Sequence, residues 1–275
     1  DGVDRPGQSG DILLGPAPLV LTPQSDCHLL AVRLTGHCTD AYLLQSGAAR
    51  WADGAACPGA AELIRELAAD GRTRVAIISG RPVTEVLALL DHPPVTVVGS
   101  HGFEFCPAGG DCVVRQPTAA QARGLLEVRT SLLGRDYAHK IEIKVASVAL
   151  HTRGLDPALA VAMEEEVAGE WAARAPEFGL ECRRFNGGVE IRCAGRDKGT
   201  ALLELLARQP DTVLPVYLGD DDTDEDAFAV LRGSGIPIKV GDDRWPTAAR
   251  GFLPDCRAVV EFLRAWAAHT RTARR

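Results

Sequence analysis

The 275-residue chain has few aromatic residues, at 5%, and a single methionine, so aliphatic side chains must build its interior. It also lacks a basic excess. Against 37 Asp and Glu stand 30 Lys and Arg, giving a formal charge of −7 and a pI near 5.5. A nucleic-acid binder carries a basic face, and that class is excluded. No apolar run approaches the ~18 residues of a membrane span, and no charged and apolar leader opens the chain. A cytoplasmic protein, binding neither nucleic acid nor membrane, is expected.

The cysteines at 27, 38, 57, 106, 112, 182, 193 and 256 include no C-x-x-C pair and no cluster with histidine. They read as small buried apolar residues in a reducing compartment. The alternative is a Cys106–Cys112 disulfide across a glycine-rich turn.

What is present is a soluble globular composition, 46% hydrophobic and 24% charged, long enough to fold without disulfide staples. Residues 1–26 are rich in Gly, Pro and Ser and read as a flexible lead-in. From there apolar runs alternate with amphipathic segments. Strands are expected at His28–Leu34, Arg74–Ser79 and Val95–Val98, with helices at Gly59–Asp70 and Val83–Leu90. Unbroken runs such as Val75-Ala76-Ile77-Ile78 suit a parallel sheet covered on both faces.

The alternation breaks between about 104 and 192. Strands at Cys112–Arg115, Lys140–His151 and Val189–Arg192 are expected there, with helices near 118–134 and 157–174. It resumes with a helix at Gly199–Arg208, a strand at Val213–Leu218, a helix at Glu225–Leu231, a strand at Ile236–Val240 and a helix at Cys256–His269. The fold class is α/β: a Rossmann-like core with a parallel sheet, 27–104 and 193–275, interrupted by an inserted α+β cap domain at 105–192. The cleft between the two is the expected ligand site.

Three segments carry chemistry. Gly219-Asp220-Asp221-Asp222-Thr223-Asp224-Glu225-Asp226 follows the apolar Val216-Tyr217-Leu218, at the carboxyl end of a parallel strand. Carboxylates that crowded repel unless a cation lies among them, and Mg²⁺ fits hard oxygen donors at such a strand end. Asp224, Glu225 and Asp226 also suit an acidic first helical turn. Ser79-Gly80-Arg81-Pro82 joins a strand to a helix, as either a small anion site or an ordinary serine cap with Pro at the first helical position. Lys198, in Asp197-Lys198-Gly199, is either a point charge for phosphate or a solvated surface lysine.

In this order the segments resemble the haloacid dehalogenase superfamily and, more narrowly, the trehalose-6-phosphate phosphatase family. The resemblance covers roughly residues 27–266. It is carried also by Gly99-Ser100-His101-Gly102-Phe103-Glu104, by Glu142 to Arg153, reading E-x-K-x-x-S-V-A-x-H-x-R, and by Gly188-Val189-Glu190-Ile191-Arg192. It implies phosphate held by Ser79, Gly80, Arg81 and Lys198, and Mg²⁺ on Asp220 with Asp221 or Asp224. It further implies that Glu142, Lys144 and Ser147 of the cap meet sugar hydroxyls, with His101, Gly187 and Glu190 near the closed cleft. A sugar phosphate such as trehalose 6-phosphate is the implied ligand, and a trehalose-phosphate synthase the implied pathway partner.

The sequence departs from the family at the first motif, D-x-D-G-T at the end of the first core strand. Here the strand end reads Val32-Arg33-Leu34-Thr35-Gly36, so nucleophile and acid/base are both missing. Loss of a covalent nucleophile lowers turnover by roughly four to six orders of magnitude. Asp26, Asp40 and Asp53 flank the strand, but nothing in the sequence fixes one within attacking distance. Arg33 either reaches the cleft as a fixed positive charge for phosphate or turns along the strand edge to solvent. The expected function is a catalytically impaired phosphatase-like protein that binds a sugar phosphate or regulates its pathway; the alternative is an active Mg²⁺-dependent phosphatase using an unaligned carboxylate.

Overall fold

In the computed structural model, residues 58–185, 187–241 and 246–271 are described with their side chains. The backbone alone is described for Ile12–Leu14, Ala17–Leu19, His28–Val32 and Thr272. The first two of these pair as an antiparallel hairpin, β1 and β2, within the expected lead-in.

A strand with apolar side chains on both faces needs a layer on each, and the large sheet meets that need. Its order is β14-β13-β12-β3-β4-β5-β6-β7. Five of these strands, β3 (His28–Val32), β4 (Thr73–Ile78), β5 (Thr96–Gly99), β12 (Leu214–Gly219) and β13 (Ile236–Val240), run parallel. β14 (Gly251–Leu253) extends them in the same sense, whereas β6 (Glu104–Cys106) and β7 (Val113–Val114) are antiparallel. Along β4, Val75 and Ile77 face one way, into a cluster with α1 (Ala60–Asp70), α2 (Val83–Leu89) and α7 (Cys256–Thr272). Ala76 and Ile78 face the other way, against α5 (Lys198–Leu206) and α6 (Glu225–Val230). The strand period of two thus divides one apolar run between two layers.

The second sheet, β10-β11-β9-β8, is antiparallel and four-stranded. It comprises β8 (Ile141–Ile143), β9 (Ser147–His151), β10 (Leu180–Phe185) and β11 (Gly188–Cys193). One face packs Val148, Leu150, Leu180, Val189 and Ile191 against α3 (Ala119–Ser131) and α4 (Pro157–Arg174) around the buried Trp171. Capping fixes where these helices start: Thr118 and Gln121 form a capping box, and Asp156 accepts from Ala158 and Leu159 ahead of Pro157.

The structure corrects the sequence reading in four places. Residues 105–114 do not open the insert: Phe105, Cys106, Val113 and Val114 pair within the large sheet. The expected strand Lys140–His151 is two strands around a turn closed by the Lys144 N–H on the Ser147 carbonyl, 2.9 Å. β10 and β14 were not expected; half of the β10 residues are charged, and the strand is held by pairing with β11. The reduced-cysteine reading also fails, because Cys106 and Cys112 are disulfide-bonded and Cys256 is bonded too. Among the described residues Cys182 and Cys193 are free thiols, and burial pushes the latter up to about 11. Among the described residues no helix is long and apolar enough to cross a membrane.

Candidate functional site at the junction of the two sheets

β4 and β5 end side by side, and the loops that leave them are sewn together. The Ser79 N–H donates to the Val98 carbonyl, Ser100 N–H to the Arg81 carbonyl and His101 N–H to the Ser79 carbonyl, at 2.8, 2.9 and 3.1 Å. Ser79 is fully buried, and its Oγ accepts from the Arg81 N–H at 3.1 Å. It does not cap α2. That helix begins after Pro82, and the Glu104 carboxylate takes the Val83 N–H at 2.9 Å while accepting the Ser100 hydroxyl at 2.6 Å. Ser100 and His101 both hold positive φ, 47° and 54°, a conformation costly without such ties.

Gly80 permits the closest contact in this region. A Cβ there would lie 2.6 Å from His101 Nε2, so the imidazole rests on a glycine backbone beside Ser79. The Arg81 guanidinium turns to Glu85 on α2, at 3.1 Å.

The acidic segment folds around Asp224, which is fully buried. Its Oδ1 accepts from Lys198 Nζ and from the Tyr217 hydroxyl, each at 2.7 Å. Its Oδ2 accepts from the Asp220 and Asp221 N–H groups at 3.1 and 2.9 Å. The surface-lysine alternative for Lys198 is therefore wrong: the residue is the first of α5, fully buried, behind the Asp197–Thr200 capping box. A buried ion pair persists only when hydrogen bonds complete its partners, and Tyr217 with two backbone donors does so for Asp224. Asp224 thereby shapes the loop that presents Asp220 and Asp221. Two carboxylates are a donor set that Mg²⁺ accepts together with water and substrate phosphate. Among the described residues no group of three or more His, Cys, Asp or Glu converges on one point.

The polar face of the antiparallel sheet turns away from α3 and α4. Cross-strand register aligns Glu142, Ala149, Glu190 and Arg183 in one row, and Ser147, Arg192 and Glu181 in the next. Glu190 Oε1 accepts from Ser147 Oγ at 2.7 Å and from Lys144 Nζ at 3.2 Å. Lys144 also lies 3.5 Å from Glu142, whose Oε2 meets His151 Nε2 at 2.7 Å. Burial would raise Glu142, but His151 and Lys144 bring it below the ordinary carboxylate range. Gly187 occupies the β10–β11 turn beside Arg153, at φ 93°.

Sheet and core meet through His101, whose Nε2 lies 2.9 Å from Glu190 Oε2. Burial lowers the imidazole despite the pull of Glu190, with Arg192 and Lys144 adding to the lowering. Burial would raise Glu190 in turn, but His101, Lys144 and Ser147 hold it well below the usual range. The resting state of the pair is a neutral imidazole donating to a carboxylate.

Of the residues singled out in the sequence, Ser79, Gly80 and His101 thus come together with Glu190, Lys144 and Ser147, and Glu142 joins them through Lys144. Lys198 joins Asp224, Asp220 and Asp221. Val32 is described as strand backbone only; Arg33 and Leu34 lie outside the described residues, as do Asp26, Asp40 and Asp53. Sequence reading missed Glu104 and Arg192. Alternation in Val189-Glu190-Ile191-Arg192 was the available signal for Arg192, since it places Glu190 and Arg192 on one face.

Comparison with known proteins adds a family. The trehalose-phosphatase family matches residues 54–256. The chain is 33% identical over 228 residues to a trehalose-phosphate phosphatase of Mycobacterium tuberculosis, an alignment covering 78% of this chain and 56% of the relative. It is 33% identical over 207 residues to a bifunctional trehalose-6-phosphate synthase/phosphatase of Thermoproteus tenax, covering 74% of this chain and 27% of that one. The chain thus spans little more than half the length of the first relative. The fold resembles that of the C-terminal domain of Candida albicans trehalose-6-phosphate phosphatase, with TM-score 0.72 at 21% identity, over 89% of this chain and 93% of that one.

Proposed function

From the premise that this chain belongs to the trehalose-phosphatase family, we propose that it binds a disaccharide phosphate of the trehalose 6-phosphate class between its two sheets and hydrolyses it poorly or not at all. The observation that carries the reading is the pairing of two unlike surfaces through His101. On the core side lie Ser79 and the buried Lys198, suited to phosphate. On the insert side lie Glu142, Lys144 and Glu190, charged groups at hydrogen-bonding spacing suited to sugar hydroxyls. Glu142 and Glu190 both stay ionised near neutral pH and accept, while Lys144 and Ser147 donate.

Mg²⁺ would be held by Asp220 and Asp221 and would neutralise phosphate charge. Lys198, already paired with Asp224, would shift toward the entering phosphate as a second positive charge. Ser79 would offer its hydroxyl from the β4 loop. Impairment rests on the reading of Val32-Arg33-Leu34 as the counterpart of the family's first-motif carboxylates. A relative that joins synthase and phosphatase in one chain supports a trehalose-phosphate synthase as the pathway partner.

Calorimetric titration of trehalose 6-phosphate with Mg²⁺, with phosphate assayed in the same cell, tests the reading. Saturating heat without phosphate release is expected. Stoichiometric phosphate would establish the active alternative, and Asp40 would be the first residue to replace. Absence of heat would overturn the binding site itself.

A further inference from the structure

Arg192 is a guanidinium on a strand of the insert with 3% of its side chain exposed. A charge buried to that degree persists only when partners surround it. On β10, Glu181 Oε1 takes its Nε at 2.7 Å; on α6, Asp226 Oδ2 lies 3.8 Å from Nη2. The third contact is unusual: Arg192 Nη1 lies 3.2 Å from His101 Nδ1. An arginine has no acceptor and keeps its protons, so Nδ1 must accept. The imidazole proton then sits on Nε2, the atom that faces Glu190 at 2.9 Å.

A histidine beside a buried carboxylate ordinarily gains a proton and becomes an imidazolium. Arg192 removes that option in two ways. It occupies the lone pair that a second proton needs, and it adds a positive charge next to the ring. His101 therefore stays a single-proton donor, and Glu190 keeps its full negative charge for Lys144 and Ser147. The other charged group facing the ring is Lys144, which acts in the same direction. On its core side the ring lies on Gly80, next to Ser79.

We propose that Arg192 is a positioning residue that fixes the tautomer of His101, and through it the registration of the sugar-facing strand β11 on the phosphate-facing loop at Ser79. This deepens the proposed function and its ligand test rests on that reading; the tautomer test does not.

The experiment is nitrogen NMR of the ligand-free protein labelled in histidine, with His101 identified by loss of its signals in His101→Asn. In the wild type His101 should show a protonated Nε2 and an unprotonated Nδ1, unchanged across about pH 6 to 8, where free histidines titrate. Arg192→Met should convert it to a titrating, doubly protonated ring. Arg192→Gln keeps a side-chain N–H donor and should preserve the Nε2–H tautomer at neutral pH, and it serves as the second variant should the methionine protein fail to fold. A ring that remains Nε2–H and non-titrating in Arg192→Met would overturn the proposal, as would loss of the tautomer in a folded Arg192→Gln.

With the ligand's own second phosphate ionisation near pH 6 allowed for, trehalose 6-phosphate affinity should be nearly flat over the same range in the wild type. It should fall about tenfold in Arg192→Met and become pH-dependent, a 1.4 kcal/mol change. Affinity equal to the wild type and equally flat would overturn the role in registration. Failure of the wild type to bind the ligand would overturn the functional reading instead, with the tautomer result still deciding the role of Arg192.

Discussion

His101 Nε2 and Glu190 Oε2, 2.9 Å apart, join the loop after β5 to β11 of the antiparallel sheet, and both groups are buried. Around that contact the chain places the Ser79 loop on one side and the polar face of the second sheet on the other.

The contact predicts an acid-sensitive fold. The ordinary values are 6.5 for His101 and 4.5 for Glu190, and both are lowered in the folded protein. The unfolded chain therefore binds more protons than the native one in this interval, and stability declines as pH drops below about 6.5. The His101 share is lost first and the Glu190 share below 4.5; Asp226, raised by burial and by Asp197, acts in the opposite sense at the acid end. Denaturant midpoints should fall from neutral to about pH 5 in the wild type and stay nearly level in His101→Asn. A level wild-type profile would contradict the assignment.

Removing Lys198 leaves Asp224 as a buried charge without its cationic partner. Lys198→Ala should cost about 3 to 5 kcal/mol. Tyr217→Phe, which removes one hydrogen bond to the same oxygen, should cost about 1 kcal/mol. Urea unfolding of the two variants distinguishes a charge-dominated site from one held mainly by packing, in which their order would reverse.

Two glycines should respond oppositely to alanine. At Gly80 the new methyl would sit 2.6 Å from His101 Nε2, and with the backbone fixed the ring must leave Glu190. Gly80→Ala should destabilise by about 1 to 3 kcal/mol and weaken trehalose 6-phosphate binding. Gly169, inside α4, has nothing within 4 Å of its would-be Cβ, and Gly169→Ala should stabilise by about 0.5 to 1 kcal/mol without touching binding. Thermal denaturation of both, with titration of the ligand, checks the pair.

Sugar and phosphate recognition should separate by mutation. Glu142→Gln keeps shape and loses charge beside Lys144 and His151. It should weaken trehalose 6-phosphate binding about tenfold while leaving inorganic phosphate affinity unchanged, a loss of about 1.4 kcal/mol. Ser79→Ala should weaken both ligands. Equal losses of both ligands in Glu142→Gln would place that carboxylate outside the sugar contact.

Much of the architecture was legible in residue order. The strand Ile236–Val240 and the helix Pro157–Arg174 fall where periodicity puts them, because each is a local pattern with local end signals. β14, only three residues long, and β10, half of whose residues are charged, were not legible, because neither carries a sustained apolar alternation and each exists through its partner strand. The same holds for residues 105–114. Their composition suits an insert, and it is pairing with β5 that adds them to the large sheet.

By itself, then, the sequence determined the α/β alternation, the acidic turn after β12 and the residues that must share a face of β11. Only the tertiary structure decided that Lys198 is buried against Asp224, that Glu104 caps α2, and that Arg192 reaches a histidine 91 positions away. The physical reason is that periodicity fixes which side chains point together, whereas what they point at is set by the packing of elements distant in the chain.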